Sequence, residues 1–224
     1  MSETVARDQF SGNRLDNGLE NKKPSLVFDF GGVLLDWDPR RLFIKLFDGD
    51  TEAMEKFITE VDFFGWNFEQ DRGRTFAEGV AELSARFPHY AEVINAYDVR
   101  WEETMDGPIQ ATVDKLQPLK DNGHRLFALS NWSEEKYHFV NHKWPFFELF
   151  EAILISGQVR LAKPDPRFFE MMLEQIGRPA TECVFIDDSA ANVAAAGQMG
   201  FKTIHFKSTS QMLDEMEQME IDFS

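Results

Sequence analysis

Short runs of apolar residues recur along the chain and predict the strands of one buried sheet. These runs are residues 25–30, 124–129, 152–155, 183–186 and 203–206. Segments with apolar residues at helical spacing lie beside them, at residues 109–121, 134–142, 167–176, 190–199 and 211–219. Continuous apolar strands that alternate with helices are typical of a parallel sheet covered on both faces. The pattern therefore predicts an α/β protein with a three-layer core.

The segment at residues 39–106 interrupts this alternation. It contains no apolar run of strand type, and its apolar residues recur at helical spacing, as at Phe76, Val80, Leu83 and Phe87. We predict a small helical cap domain here, inserted after the first strand of a Rossmann-like core that comprises residues 25–38 and 107–224. Residues 1–24 mix charged residues with Ser, Gly and Asn, so we expect a disordered N-terminal extension.

The acidic composition limits the partners that this protein can have. A formal net charge of −16 disfavours binding of nucleic acid or an anionic membrane through the general surface. The single cysteine, Cys183, excludes an internal disulfide and suits a reducing compartment. Because no apolar stretch approaches ~20 residues and no signal-peptide pattern stands out, we expect a cytoplasmic enzyme. The sequence does not indicate an oligomeric state.

Polar residues follow the predicted strands at the ends where ligands bind in open parallel sheets. They are Asp29, Gly31 and Gly32 after the first strand, Ser130 and Asn131 after the second, Lys163 after the third, and Asp187 and Asp188 after the fourth. The carboxyl ends of parallel strands meet at one edge of a sheet. We therefore expect these residues to converge on that edge.

The chemistry of this set points to phosphoryl transfer. Three carboxylates at one point repel one another, and a divalent cation such as Mg²⁺, which prefers oxygen ligands, removes the repulsion. An aspartate has an ordinary pKa of ~3.9 and is an ionised nucleophile at neutral pH. The metal and Lys163 can offset the repulsion between Asp29 and a phosphoryl dianion. We therefore predict a magnesium-dependent phosphatase that forms an aspartyl phosphate from a small phosphorylated metabolite.

Four segments of the chain also resemble the motifs of the haloacid dehalogenase-like hydrolase superfamily, in order and in spacing. They are residues 27–34, 126–131, 163–166 and 184–193, which read VFDFGGVL, LFALSN, KPDP and VFIDDSAANV. The resemblance extends from Ser25 to about Phe206 and is to subfamily I, which has a helical cap after the first motif. The Gly-Gly pair after Asp29 resembles the branch that contains bacterial glucose-1-phosphate phosphatase.

This resemblance implies a role for each residue at the predicted edge. For the metal, it implies Asp29, which is also the nucleophile, the carbonyl of Gly31, Asp188 directly, and Asp187 directly or through water. For the phosphoryl group, it implies contacts from Lys163, Ser130, the Asn131 amide and the turn at Gly31 and Gly32. Asn192, one helical turn after Asp188, is expected to steady the acidic loop.

The first motif departs from the pattern of the superfamily at Gly31. Most of its phosphatases carry a second aspartate there, which protonates the leaving group and later activates water. The acid must therefore come from elsewhere, or the leaving group must need little help. A sugar 1-phosphate meets the second condition, because its anomeric leaving alcohol is more acidic than an ordinary one.

Two alternatives remain open from the sequence. A 2-haloacid dehalogenase of the same fold uses the same aspartate on carbon, without metal, and also lacks the second aspartate. The paired acids Asp187 and Asp188 argue against it, because dehalogenases usually have uncharged residues there. The second alternative is a binding module without catalysis, and Gly31 is the only feature that favours it. The intact Asp29, Ser130, Lys163 and Asp188 argue against it. Activity in the presence of EDTA would separate the first alternative from a phosphatase.

Overall fold

A five-stranded parallel sheet forms the centre of the molecule, which we describe from a computed structural model over residues 23–223. The strands are β1 (Ser25–Phe28), β2 (Leu35–Trp37), β3 (Met105–Pro108), β4 (Leu126–Ser130), β5 (Ala152–Ile155), β6 (Cys183–Asp187) and β7 (Lys202–His205). The parallel sheet has the order β5-β4-β1-β6-β7, while β2 and β3 pair with each other in antiparallel fashion. All five strand runs predicted from the apolar pattern are present in the parallel sheet.

Helices cover both faces of this sheet. They are α1 (Arg40–Leu46), α2 (Thr51–Glu60), α3 (Phe63–Asp71), α4 (Phe76–Arg86), α5 (Ala91–Val99), α6 (Gln110–Val113), α7 (Leu116–Asp121), α8 (Glu134–Val140), α9 (Ser156–Val159), α10 (Pro166–Ile176), α11 (Ala190–Gln198) and α12 (Thr209–Gln218). Short 3₁₀ turns lie at Pro88–Tyr90, Trp101–Thr104, Pro145–Leu149 and Ala180–Glu182.

The alternation of side chains along β1 shows why the sheet needs cover on both faces. Leu26 and Phe28 belong to one apolar cluster, which also contains residues of α7 and α12. Val27 points the other way, into a second cluster with residues of α10 and α11. A strand buried on both faces reads as a continuous apolar run rather than an alternating one. The predicted α/β class, with its three-layer parallel core, is confirmed.

Helices α1 to α5 lie between β2 and β3, and we call residues 40–104 the helical insertion. The β2–β3 pair closes its base, with Leu35 opposite Pro108. Both strands are too short to leave a pattern in the sequence, and neither was predicted. Apolar residues of the insertion such as Phe43 and Phe57 belong to the same cluster as Phe28 of the central sheet. A separate cap domain with bounds at residues 39 and 106 stays a prediction.

The helix predicted over residues 109–121 is broken into α6 and α7. Proline at position 118 has no backbone N–H, so it is tolerated only in the first turn of a helix, where that group has no partner. Because α7 begins at Leu116, Pro118 falls within its first turn.

The extension expected over residues 1–24 lies, apart from Lys23 and Pro24, outside the described residues. Within residues 23–223, no helix combines the length and the apolar composition that crossing a bilayer would require.

Candidate active site

Three neighbouring strands end at one edge of the sheet and bring acidic and hydroxyl groups together there. Asp29 follows β1, while Ser130 ends β4 and Asp187 ends β6. Strand β1 pairs with both β4 and β6, and all three run parallel. The convergence predicted from the sequence is therefore a direct result of the strand order.

Asp29 is held in one orientation by three donors. Its Oδ1 accepts hydrogen bonds from the backbone N–H of Phe30 and from the Ser130 hydroxyl, both at 2.7 Å. Its Oδ2 lies 2.9 Å from the ammonium Nζ of Lys163. The residue is only 7% exposed, so these contacts are shielded from bulk water. The Ser130 hydroxyl, expected to bind a phosphoryl group, donates to Asp29 in this structure.

Lys163 is a buried cation shared between two carboxylates. Its Nζ donates to Oδ2 of Asp187 at 2.7 Å and to the carbonyl of Leu129 at 2.7 Å, in addition to its contact with Asp29. The side chain of Asn131 fixes the backbone of Lys163 from both sides. Its Oδ1 accepts from the Lys163 N–H at 2.8 Å, and its Nδ2 donates to the Lys163 carbonyl at 2.9 Å.

Asp187 is fully buried and surrounded by donors. Besides Lys163, its carboxylate accepts from the backbone N–H of Ser189 at 2.8 Å. The Asn192 amide donates to both of its oxygens at 3.1 Å. Asn192, which we expected to steady the acidic loop, therefore binds the Asp187 carboxylate in that loop. These donors hold the Asp187 carboxylate in place, and the carboxylate in turn orients the Lys163 ammonium at 2.7 Å.

Asp188 is exposed and lies close to the turn after β1, and glycine at position 32 makes this close contact possible. Gly32 has a φ of +70°, a conformation that favours glycine, and a Cβ placed there would lie 2.2 Å from Oδ2 of Asp188. Gly31 differs, because a Cβ at that position would meet no atom within 4 Å. Position 31 therefore faces open space rather than packed protein.

The electrostatics of the edge show a surplus of negative charge. The pKa of Asp29 is raised to about 7. Burial is the main cause, Lys163 opposes it, and the neighbouring Asp187 adds to the rise. Burial and the neighbouring Asp187 also raise the pKa of Asp188. Burial acts to lower the pKa of Lys163, but Asp187 and Asp29 outweigh it and raise that pKa. One lysine does not neutralise three carboxylates.

These carboxylates have the arrangement that a divalent cation needs. Asp29, Asp187 and Asp188 can each offer one oxygen, and the three oxygens lie within 4.8 Å of one another. Hard cations such as Mg²⁺ bind carboxylate and carbonyl oxygens together with waters. The donor set therefore fits a magnesium ion, with Asp29 and Asp188 as the carboxylates nearest to open space.

A cavity adjoins this edge, and its walls come from the helical insertion, from β2 and β3, and from the loop after β4. Apolar and aromatic side chains form most of the wall, namely Leu35, Trp37, Phe76, Tyr97, Trp101 and Trp132. The cavity also reaches Gly31, Ser130 and Asn131, so it opens directly onto the predicted phosphoryl site. A substrate bound with its phosphate at the edge would place its remaining part against these aromatic rings.

Asp71, the last residue of α3, adds a carboxyl group to this cavity. Its side chain accepts a hydrogen bond from the Asn67 amide at 3.3 Å, and the Ser133 backbone N–H acts to lower its pKa. Its carbonyl accepts from the Ser156 hydroxyl, which also accepts from the Trp132 N–H at 2.9 Å. Asp71 is thus tied to the loop that follows Ser130.

The structure brings the predicted site residues to one edge and adds a wall that the sequence did not reveal. Asp29, Ser130, Lys163, Asp187 and Asp188 lie together, while their chemical roles stay predictions. The aromatic wall and Asp71 were not predicted as site residues. Asp71 lies in a mixed polar stretch, Glu-Gln-Asp-Arg-Gly, that carries no periodic signal and equally suits a solvated helix end.

Comparison with known proteins agrees with this geometry. Residues 25–200 match the haloacid dehalogenase-like hydrolase family. A solved enzyme of the same family from Bacteroides thetaiotaomicron, in complex with magnesium and inorganic phosphate, is 25% identical and superimposes with a TM-score of 0.62. That comparison covers 83% of this chain and 94% of the other.

Two fungal proteins are also similar in sequence. A sesquiterpene phosphatase from Aspergillus oryzae is 25% identical over 201 residues, which cover 86% of this chain and 94% of that protein. A drimenol cyclase from Aspergillus calidoustus is 26% identical over 194 residues, which cover 84% of this chain. The chain spans only 35% of the length of the cyclase.

Proposed function

The chain belongs to the haloacid dehalogenase-like hydrolase family, and on this premise we propose that it is a magnesium-dependent phosphatase acting on a small phosphomonoester. The observation that carries this proposal is the trio Asp29, Asp187 and Asp188, with three ligand oxygens within 4.8 Å and a single buried lysine against them. The likeness to a sesquiterpene phosphatase and to an enzyme that binds magnesium and phosphate supports the same assignment.

Asp29 is the nucleophile in this proposal. One of its carboxylate oxygens forms a bond to phosphorus, and the bond from phosphorus to the leaving oxygen breaks. Water then attacks the aspartyl phosphate, which releases inorganic phosphate and regenerates the carboxylate. Lys163 keeps the Asp29 carboxylate in place at 2.9 Å and offsets part of the charge of the transferring group.

The residues that would hold magnesium are Asp29, Asp188 and the carbonyl of Gly31. When bound, the ion would supply positive charge that offsets the repulsion between the nucleophile and the phosphoryl oxygens. Asp187 takes a supporting role, because its oxygens already accept from Lys163, Ser189 and Asn192.

The dehalogenase alternative fits this site poorly. A 2-haloacid brings its own carboxylate, and three further carboxylates at the edge would repel it. A purely binding module gains nothing from a buried carboxylate aligned by three donors beside a lysine. Both observations favour phosphate ester hydrolysis.

The substrate is the finer part of the proposal. Apolar and aromatic side chains form most of the cavity wall, and buried hydroxyl groups without partners are costly. This wall therefore favours a leaving group with an apolar body. The sugar 1-phosphate expected from the missing aspartate at position 31 stays a prediction, because aromatic rings also accommodate the apolar faces of sugars.

A substrate panel tests the proposal. Phosphate release would be measured from an isoprenyl phosphate, a hexose 1-phosphate and p-nitrophenyl phosphate, and halide release from 2-chloropropionate, each with Mg²⁺ or with EDTA. We expect phosphate release that needs Mg²⁺ and falls at least about 10³-fold in Asp29→Asn. Asp114→Asn, at an exposed position between α6 and α7 that does not line the cavity, is the matched control. Halide release in EDTA would instead establish the dehalogenase.

A further inference from the structure

Position 31 leaves the proposed reaction without the usual proton donor. When a phosphate ester is cleaved, the electron pair of the broken bond stays on the leaving oxygen, which must then take a proton unless its alcohol is acidic. Gly31 has no side chain to supply one. A Cβ there would meet no atom within 4 Å, so no neighbouring side chain fills the place of the missing carboxyl group.

The wall of the same cavity carries a carboxyl group. Among the described residues that line the cavity, Asp71 is the only one with a carboxylic acid side chain. The cavity also reaches Gly31 and Ser130, so Asp71 and the phosphoryl site face one continuous space. A leaving group that extends from the edge into the cavity would pass beside Asp71.

Asp71 is also held firmly enough for a catalytic role. The Asn67 amide donates to its side chain at 3.3 Å, and the Ser156 hydroxyl donates to its carbonyl. Ser156 also accepts from the N–H of Trp132, two residues after Ser130. Contacts of this kind fix a side chain relative to the nucleophile, as acid catalysis requires.

We propose that Asp71 is the general acid that protonates the leaving oxygen, in place of the carboxyl group that Gly31 lacks. The inference rests on the proposed phosphatase function. In the first step, Asp71 gives its proton to the leaving alcohol. In the second, its carboxylate takes a proton from the water that attacks the aspartyl phosphate. Asp71 ends the cycle protonated, and the net reaction consumes one water.

The electrostatic setting of Asp71 agrees with this role. Burial raises its pKa to about 7, with a smaller contribution from the nearby Asp29 and against the opposing effect of the Ser133 N–H. An acid–base group is most effective when its pKa lies near the working pH. Tyr97, the other acidic side chain of the wall, is unsuitable because burial raises its pKa well above the ordinary value.

The dependence on leaving group separates a proton donor from a structural residue. p-Nitrophenolate leaves without needing a proton, whereas an alkoxide does need one. We expect Asp71→Asn to lower kcat/KM, which covers the steps up to release of the alcohol, about 10²- to 10⁴-fold for n-butyl phosphate and by no more than roughly threefold for p-nitrophenyl phosphate. Loss of the base in the second step lowers kcat for both esters and leaves this comparison unchanged. Glu69→Gln, the same change at an exposed position of α3, should leave both rates unaltered.

A second variant strengthens the test. Gly31→Asp added to Asp71→Asn should raise kcat/KM for n-butyl phosphate at least about tenfold above that of Asp71→Asn alone. The open space at position 31 admits the new side chain. Equal losses of kcat/KM for the two esters in Asp71→Asn would overturn this inference alone, and so would an unchanged kcat/KM for n-butyl phosphate. A wild-type protein that releases no phosphate from either ester would overturn the proposed function and the inference with it.

Discussion

Lys163 and the two glycines after Asp29 determine the local geometry of the site. Burying a lysine and two carboxylates removes them from water, at a cost of several kcal/mol for each ion. Lys163 offsets this cost by contacts of 2.7 Å and 2.9 Å with Asp187 and Asp29. Gly32 then lets the turn after β1 approach Asp188 without a side chain in the way, whereas Gly31 borders open space.

The two glycines should respond differently to alanine. Gly32→Ala forces a Cβ to within 2.2 Å of the Asp188 carboxylate at a φ of +70°. We expect it to lower the free energy of unfolding by about 1–3 kcal/mol, the usual cost of such backbone strain. Urea denaturation measures the effect.

Gly31→Ala is the matched control for this prediction. Its Cβ would meet no atom within 4 Å, and its φ is not in the left-handed region. A methyl group there should change the free energy of unfolding by no more than about 1 kcal/mol and with either sign. Similar losses for the two variants would show that the close approach at Gly32 does not constrain the turn.

At the scale of elements, α8 connects the loop after β4, residues 131–133, to the helical insertion. Lys136 of α8 donates to the Asp98 carboxylate at 2.5 Å and to the Asp98 carbonyl at 2.9 Å, at the end of α5. Its Nζ also lies 4.2 Å from the centre of the Phe76 ring, which belongs to the cavity wall. Helix α8 thereby holds the aromatic wall against the edge of the sheet.

Lys136→Met tests this connection while keeping the length of the side chain. Loss of the two hydrogen bonds and the contact with the ring should lower the free energy of unfolding by about 1–2 kcal/mol. Lys56→Met, at an exposed position of α2, is the control and should change it by less than about 0.5 kcal/mol. If the two variants lose the same amount, the contacts of Lys136 do not stabilise the fold.

At the scale of the whole molecule, the net charge of −16 makes a local source of positive charge necessary for an anionic substrate. Lys163 supplies one such charge, and the acidic trio offers a place for a cation. The same surplus of negative charge links the stability of the protein to pH. Carboxyl groups with a raised pKa hold their protons more tightly in the folded state than in the unfolded state.

Asp71 provides the pH prediction. Its pKa is about 7 in the folded protein and ~3.9 in an unfolded chain. Stability from the bound proton is therefore fully present below pH ~4 and is lost as the pH rises to about 7. Asp71→Asn removes this loss. The variant should gain roughly 1–2 kcal/mol relative to wild type between pH 5 and pH 8, after allowance for screening by water in the cavity.

Urea unfolding of both proteins at each pH, in EDTA, measures this difference. The subtraction of wild type from variant cancels the titration of the groups that do not interact with Asp71. A difference that stays constant from pH 5 to pH 8 would mean that Asp71 has an ordinary pKa in the folded protein.

The amino-acid sequence by itself determined the α/β class and the convergence of Asp29, Ser130, Lys163 and the two acids at 187 and 188. Apolar runs record burial on both faces of a strand, and the carboxyl ends of parallel strands share one edge. Local patterns were therefore enough to place these residues together.

Only the tertiary structure decided which residues form the wall of the cavity, that α8 contacts the helical insertion, and that Asp71 lines the same cavity as Gly31. Periodicity reports which face of a helix is buried, but not which distant segment covers it. Asp71 meets Ser133 because the helical insertion folds onto the loop after β4, a contact that depends on the packing of the whole chain. The same packing leaves open space at Gly31, which no local pattern in the sequence records.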